Sequence, residues 1–110
     1  MEVTRGDIVV VAAKGAYTGK PRPALVVQDD SFNDTHASVT VCPITSELVD
    51  APLFRASLPA GSRTGLAASS QVMADKIVSV PRQSIARVIG RCTPGEMDVI
   101  DDALRRWLSL

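Results

Sequence analysis

The sequence has few aromatic residues, no net charge and little of the side-chain chemistry that most enzymes use. Only 4% of its 110 residues are aromatic, and 12 basic residues balance 12 acidic ones. Zero net charge excludes a polybasic, histone-like binder of polyanions. So few aromatic side chains cannot supply a run of base-stacking platforms. Composition alone therefore argues mildly against a nucleic-acid protein.

Cysteine and histidine are too scarce for a metal centre. The two cysteines, Cys42 and Cys92, lie far apart in the sequence, and His36 is the only histidine. No Cys/His zinc set can be assembled from them. GxGxxG, P-loop and HExxH patterns are also missing, so neither a metal nor a cofactor is predicted. Both cysteines are expected to be buried thiols in a reducing compartment.

Signals for export and membrane insertion are missing as well. The N-terminus lacks the charged region and cleavage site of a signal peptide, and no apolar run approaches the roughly 18 residues of a membrane span. A hydrophobic fraction of 45% beside 22% charged residues excludes a disordered tail. We expect a cytoplasmic protein in which residues 1–110 form one domain, since domains cluster at about 100–150 residues.

The first part of the chain is typical of short strands joined by polar loops. Some stretches are continuous apolar, β-branched runs and others alternate polar with apolar residues, and both patterns favour strands. Pro43 is expected to end the third strand, because proline cannot donate to a ladder. The predicted strands are 7–12, 24–27, 38–42, 54–58, 71–72, 76–80 and 87–90.

The end of the chain changes to a helical period. Thr93 and Glu96 form a capping box, and Pro94 occupies the first helical position, where its missing N–H costs nothing. Apolar residues then recur at steps of three and four, which predicts one buried face with Trp107 as a core anchor. That face consists of Met97, Ile100, Leu104, Trp107 and Leu108. The prediction is a mainly antiparallel β domain with a C-terminal helix.

Two proline-containing segments carry the candidate chemistry. Lys-Pro-Arg-Pro at 20–23 and Pro-Ile-Thr-Ser at 43–46 each lie at a strand terminus, where a rigid scaffold can aim a side chain. If the two strands are neighbours, the guanidinium of Arg22 and the hydroxyl of Thr45 converge at one end of the sheet. Such a pair could hold a phosphate, although an arginine between prolines is more often a surface residue.

These segments resemble the MazF/PemK toxin family. The resemblance is carried mainly by Arg-Pro-Ala-Leu-Val-Val at 22–27 and Cys-Pro-Ile-Thr-Ser at 42–46, and by Arg-Gly-Asp-Ile-Val at 5–9. It extends in order over essentially residues 5–110, through Gly65-Leu66, Ser70-Gln71-Val72, Asp75-Lys76-Ile77, Ile89-Gly90, Glu96-Met97 and Ala103-Leu104.

The resemblance implies a small SH3-like barrel with short helices and a C-terminal α-helix, usually as a homodimer. It also implies a toxin of a toxin–antitoxin pair that cleaves single-stranded RNA, often mRNA, at short sequences without a metal or cofactor. The expected products carry a 2′,3′-cyclic phosphate and a 5′-hydroxyl, and a cognate antitoxin is the expected protein partner. The family's catalytic arginine and threonine match Arg22 and Thr45.

Five further residues are candidates for binding RNA, each with a structural alternative. Tyr17 could stack on a base or only pack within its loop. Lys14 and Lys20 could attract phosphate, although surface lysines usually lack a specific partner. Ser46 could donate to phosphate or cap a turn, and Gln71 could read a base edge or make a strand hydrogen bond.

The chain departs from many relatives in the first loop. Those relatives carry a glutamate five positions before the arginine, where this sequence has Tyr17, and residues 13–20 contain no acid. The identity of the general base is therefore open. Two alternatives to an active ribonuclease follow from related proteins: a CcdB-like DNA gyrase poison that uses a tryptophan near the chain end, and an inactive member that only binds an antitoxin.

Overall fold

The fold consists of an antiparallel sheet and one long helix, in a computed structural model that describes residues 2–12 and 20–110. Seven strands lie in these two ranges: β1 (Asp7–Val11), β2 (Arg22–Val26), β3 (Ser38–Thr45), β4 (Arg55–Leu58), β5 (Ser70–Met73), β6 (Val78–Pro81) and β7 (Ile85–Arg91). The helix α1 spans Pro94–Leu108, and single 3-10 turns occur at Asp30–Phe32, Ala74–Lys76 and Arg82–Ser84.

The long strand β3 lies at the centre of the sheet. The strand order is β4-β5-β3-β2-β1-β7, and β6 also pairs with β3. Residues 38–41 of β3 pair with β6, and residues 44–45 pair with β5. Residues 41–43 of β3 pair with β2. In the described ranges the edge strands β4 and β7 do not pair, so this barrel-like sheet is open. The predicted mainly antiparallel β fold with a C-terminal helix is confirmed.

Strand β3 does not end at Pro43, so that prediction was wrong. The strand continues to Thr45, and Pro43 lies opposite Ala24 of β2. On its other side, β3 pairs with β6 as far as Val41 and with β5 from Ile44 onward. Pro43 therefore falls in the gap between the β5 and β6 ladders, where its missing N–H breaks no bond to either strand.

The sheet buries a hydrophobic cluster on each of its faces. Side chains alternate along each strand, so Leu25 and Cys42 pack with Ile100 of α1 on one face. Val26 and Val41 pack on the opposite face with other small aliphatic residues. Both cysteines are buried free thiols, as expected from the sequence. The register of β2 against β3 is fixed by this double burial, because a one-residue slip would exchange the two faces.

The start of α1 is held by the predicted capping box. The Thr93 hydroxyl accepts the N–H of Glu96 at 3.1 Å, and the Glu96 carboxylate accepts the N–H of Thr93 at 2.8 Å. Arg63 donates a forked pair of hydrogen bonds to the same carboxylate, at 2.8 and 3.0 Å. The loop before β5 is thereby joined to the helix N-terminus.

Trp107 is not the core anchor that its helical spacing suggested. Its side chain is 50% exposed, and its ring packs on Phe54 with 5.6 Å between ring centroids. Met97, Ile100 and Ala103 are the buried residues of α1. The last turn of the helix lies against the segment before β4, where Arg106 donates to the carbonyl of Leu53, and that segment covers only part of the indole.

Strand β7 and the loop around Thr64 approach each other too closely for a side chain between them. A Cβ on Gly90 would lie 2.2 Å from the carbonyl carbon of Thr64, whereas a Cβ on Gly95 would meet nothing closer than the Thr93 hydroxyl at 3.9 Å. Beside this contact, Arg91 donates its backbone N–H to the carbonyl of Arg63 at 2.9 Å. Gly90 is therefore required by packing, while Gly95 is not.

Alanine at these two glycines should have opposite effects on stability. We expect Gly90→Ala to lower the free energy of unfolding by about 1–3 kcal/mol or more, because the backbone of Thr64 must move. Gly95→Ala should be neutral or raise it by about 0.5–1 kcal/mol, since alanine favours the helix. Urea denaturation of both variants provides the measurement, and equal losses would contradict the close approach.

The ion pair at the start of α1 should make stability depend on pH. The Arg63 side chain lowers the pKa of Glu96 below its ordinary value of 4.5. The stabilisation is therefore complete above that ordinary value and is lost as the pH falls through the lower folded-state pKa. Thermal denaturation should show that the Tm of wild type exceeds that of Glu96→Gln near neutral pH. The difference between the two Tm values should shrink below pH 4.5.

Asp102→Asn is the matched control for this effect. Asp102 pairs with Arg105 at 2.9 Å, but both side chains are 61% exposed. Exposed pairs of this kind contribute only about 0–1 kcal/mol. This variant should therefore remain close to wild type throughout, and a wild-type advantage over Glu96→Gln that is independent of pH would contradict the role of the carboxylate.

Candidate active site

Arg22 and Thr45 lie at the same end of two neighbouring strands. The β2–β3 register pairs Leu25 with Cys42 and Ala24 with Pro43. Continuing this register by two residues places Arg22 opposite Thr45, and opposed residues of an antiparallel pair project from the same face. That face is the one turned away from α1. The two strands are therefore neighbours, as the convergence predicted from the sequence requires.

The guanidinium of Arg22 is available to an anion. Its side chain is exposed, and it makes no hydrogen bond or ion pair with any residue in 2–12 or 20–110. Arg63 and Arg91, by contrast, are bound to Glu96 and Asp7. A guanidinium presents several N–H donors in a planar fork that matches two phosphate oxygens. Arg22 can therefore bind a phosphodiester.

The hydroxyl of Thr45 is oriented by the chain that follows it. Its Oγ1 accepts the backbone N–H of Glu47 at 3.1 Å, and the residue is half-buried. This local turn occupies an acceptor position of the oxygen. The hydroxyl proton remains to be donated. Thr45 can therefore offer a hydrogen bond to an oxygen bound between it and Arg22.

Gln71 lies directly opposite Thr45 in the β3–β5 ladder. Its Oε1 accepts the N–H of Val49 at 3.1 Å, and its Nε2 donates to the carbonyl of Val49 at 2.8 Å. A guanidinium nitrogen of Arg55 also donates to Oε1, at 3.4 Å. The side-chain amide of Gln71 is thus bound to the chain's own backbone just after β3.

Two of the remaining candidates for binding RNA lie next to Arg22 and Thr45 in the sequence. Ser46 follows Thr45 directly, and Lys20 precedes Arg22 by two residues; both are exposed. Lys14 and Tyr17 lie outside the described residues. Among the described residues, Lys20 and Ser46 are therefore exposed neighbours of Arg22 and Thr45 along the chain.

Arg55 belongs to this region, although nothing in the sequence singled it out. It donates to the carbonyl of Glu47 at 3.5 Å as well as to Gln71. Alternation along β4 would put Arg55 on the polar face of that strand. The pairing of β4 with β5, and of β5 with the end of β3, could not be deduced from alternation, because it depends on long-range contacts.

The cysteines and histidine supply no reactive group here. Burial raises the pKa of Cys42 to about 12 and that of Cys92 to about 11, so both are protonated thiols at neutral pH. His36 is exposed in the loop before β3, at the opposite end of that strand from Thr45. The described residues also contain no group of three or more His, Cys, Asp or Glu that could hold a metal ion.

The chain matches one protein family over almost its whole length. Residues 4–108 match the family described as PemK-like, MazF-like toxin of type II toxin-antitoxin system. The probable endoribonuclease MazF of Mycolicibacterium smegmatis is 48% identical over 106 residues, which cover 96% of each chain. Endoribonuclease EndoA of Bacillus subtilis is 28% identical over 113 residues, covering 100% of this chain and 97% of the relative.

The fold also occurs in solved structures. A mycobacterial endoribonuclease in complex with its cognate antitoxin is similar with a TM-score of 0.82 and 22% identity, covering 98% of this chain and 96% of that one. No helix among the described residues is long and apolar enough to cross a membrane. The family resemblance found in the sequence, and the endoribonuclease toxin it predicts, are confirmed. The chain belongs to the PemK-like, MazF-like toxins of type II toxin–antitoxin systems.

Proposed function

We propose that this toxin cleaves single-stranded RNA at the site formed by Arg22 and Thr45. The observation that carries the proposal is the pairing of β2 with β3, because its register, continued by two residues, would set Arg22 opposite Thr45 on one face. The names of its relatives support RNA as the substrate. No metal or cofactor takes part in the proposed reaction.

The reaction is an attack by the ribose 2′-oxygen on the adjacent phosphorus. A bond forms between the 2′-oxygen and phosphorus, and the bond from phosphorus to the 5′-oxygen of the next nucleotide breaks. The 2′-hydroxyl loses a proton and the leaving oxygen gains one. The products are a 2′,3′-cyclic phosphate and a 5′-hydroxyl.

Arg22 and Thr45 stabilise the charge that builds up during this step. Negative charge grows on the phosphoryl oxygens, and a forked guanidinium beside a hydroxyl donor offsets it. Because an arginine with a pKa above about 12 is a poor proton acceptor, Arg22 acts through its charge and its donors. Binding the strand with the 2′-oxygen in line with the leaving oxygen adds an orientation effect.

Lys20 and Ser46 extend the site along the RNA backbone. Lys20 contributes positive charge near Arg22, and Ser46 offers a second hydroxyl beside Thr45. We also assign Lys14 and Tyr17, which precede Arg22 in the sequence, to RNA binding, Tyr17 by stacking on a base. Tyr17 stands where many relatives have an acid. Among the described residues, the carboxylates nearest in sequence to Arg22 and Thr45 are those of Glu47 and Asp50.

The proposed partners are a cognate antitoxin and a second copy of the chain. A related endoribonuclease is known in complex with its cognate antitoxin. We propose that the antitoxin of this protein is a short, partly disordered acidic chain that folds onto the surface around Arg22 and covers it. The toxin acts as a homodimer in the cytoplasm, where mRNA is the substrate.

Removing the guanidinium should abolish cleavage without unfolding the protein. We expect Arg22→Ala to lower kcat by about 10²-fold or more, which is typical of losing one preorganised charge-stabilising donor. Arg22→Lys should restore little, because an ammonium lacks the fork. The assay is cleavage of a long RNA in EDTA, with 5′ ends mapped by primer extension and the cyclic phosphate detected on the other product.

Arg105→Ala is the control, since it removes the same charge from the exposed surface of α1. It should cleave like wild type. Undiminished cleavage by Arg22→Ala would contradict the assignment. Gyrase-dependent DNA breaks without RNA cleavage would favour the CcdB-like alternative, and a wild-type protein that leaves RNA intact but binds an antitoxin would favour an inactive family member.

Loss of the Thr45 hydroxyl should slow the reaction in a graded way. Thr45→Val keeps the β-branched shape but removes the donor, so we expect kcat to fall by about ten- to a hundredfold, while Thr45→Ser should retain most activity. Thr40→Val is the matched control, because Thr40 lies on the same strand and its hydroxyl contacts Ser79 at 3.1 Å, away from the site. Equal activity of the two valine variants would exclude a catalytic role for Thr45.

A further inference from the structure

We infer that Gln71 is a positioning residue that orients the Thr45 hydroxyl through the segment 46–50. The inference rests on the proposed function of Arg22 and Thr45. It assigns to Gln71 a role in the arrangement of the site instead of direct contact with an RNA base.

Segment 46–50 has little burial to hold it. All five of its residues are exposed, including Leu48 at 58% and Val49 at 47%, and the segment belongs to no strand. With so little apolar surface removed from water, packing contributes little to fixing its conformation. Hydrogen bonds must therefore determine where this segment lies.

Those hydrogen bonds come from side chains on the β3–β5–β4 face. Gln71 binds both the N–H and the carbonyl of Val49, in the manner of a neighbouring strand. Arg55 binds the carbonyl of Glu47, and Thr45 accepts the N–H of Glu47. Gln71 is the one of these that makes two bonds to the segment, both well within hydrogen-bond distance.

The contact passes from Gln71 to Thr45 by way of Glu47. The two hydrogen bonds from Gln71 hold the backbone of Val49 in place. Glu47 is only two residues earlier in the chain, so its position is restricted as well. Its N–H, bound to Oγ1, then selects one rotamer of Thr45. A threonine side chain has a few staggered χ1 positions, of which one directs the hydroxyl to a given oxygen. Without the two bonds of Gln71, the N–H of Glu47 is no longer held against Oγ1.

The amide of Gln71 has little capacity left for a base. Its Oε1 already accepts from Val49 and Arg55, and its Nε2 already donates to Val49. Reading a base edge would need the same atoms in a forked arrangement. The existing bonds would have to break first, so a positioning role accounts better for the geometry.

Three variants test the inference. Gln71→Met removes both bonds to Val49 while keeping a side chain of similar length, and Gln71→Glu keeps an acceptor for the Val49 N–H but loses the donor. Gln28→Met is the matched control, because Gln28 also bridges two elements, donating to Asn33 at 2.9 Å and accepting from the Thr40 N–H at 3.2 Å. Gln28 follows the end of β2 that is remote from Arg22.

For each variant, we would measure kcat and KM for RNA cleavage at a temperature well below the Tm of that variant. We would also determine its preferred cleavage sequence and its amide hydrogen exchange. Gln71→Met should lower kcat by about ten- to a hundredfold, since misplacing a reacting group by about 1 Å can cost 10²-fold. KM and the cleavage sequence should remain unchanged, and the amides of Glu47 and Val49 should exchange faster. Gln71→Glu should be intermediate, and Gln28→Met should retain kcat despite a lower Tm.

The opposite results have separate meanings. A kcat of Gln71→Met equal to wild type, while Arg22→Ala is inactive, would overturn the inference and leave the proposed function intact. A change in Gln71→Met that is confined to KM or to the cleavage sequence would overturn the inference in favour of direct RNA contact. An equal loss of kcat in Gln28→Met would overturn it in favour of general destabilisation. Normal cleavage by Arg22→Ala would instead remove the proposed function itself.

Discussion

The register between β2 and β3 is the constraint on which the rest of the structure depends. It places Leu25 and Cys42 on the face covered by α1, and Val26 and Val41 on the other, so both hydrophobic clusters require it. Continued by two residues, the same register would set Arg22 opposite Thr45. Core packing therefore aligns the site, and any sequence that buries both faces correctly also brings the two polar groups together.

Several arginines are used within the protein, whereas Arg22 has no hydrogen-bond or ion-pair partner among residues 2–12 and 20–110. Arg63 binds the N-terminus of α1, Arg91 binds Asp7, and Arg5 bridges to Asp101. Internal pairing of this kind explains how a chain of zero net charge can still offer positive charge where a phosphate is needed. Neutral overall composition limits long-range attraction of RNA, but it does not determine what an exposed guanidinium such as that of Arg22 can bind.

Local patterns in the sequence were sufficient for the helix and most strands. The capping box at Thr93 predicted the start of α1, because its hydrogen bonds join residues three apart. Features that depend on distant partners were not predictable. Strand β3 passes through Pro43 because two other strands share its edge, and Trp107 packs on Phe54 while half of its side chain stays exposed. For the same reason, the bonds from Gln71 to Val49 and the place of Arg55 emerged only from the fold. The roles of Arg22 and Thr45 stay predictions.

The two buried thiols give this chain built-in reporters of its folded state. Cys42 and Cys92 belong to the same hydrophobic cluster beneath α1, and burial raises both pKa values far above neutrality. A thiol reagent requires an accessible thiolate, so it can reach them only when helix and sheet separate. The rate of labelling then measures how often that core opens. In a sequence with few aromatic residues, thiol labelling can therefore report on core opening in place of intrinsic fluorescence.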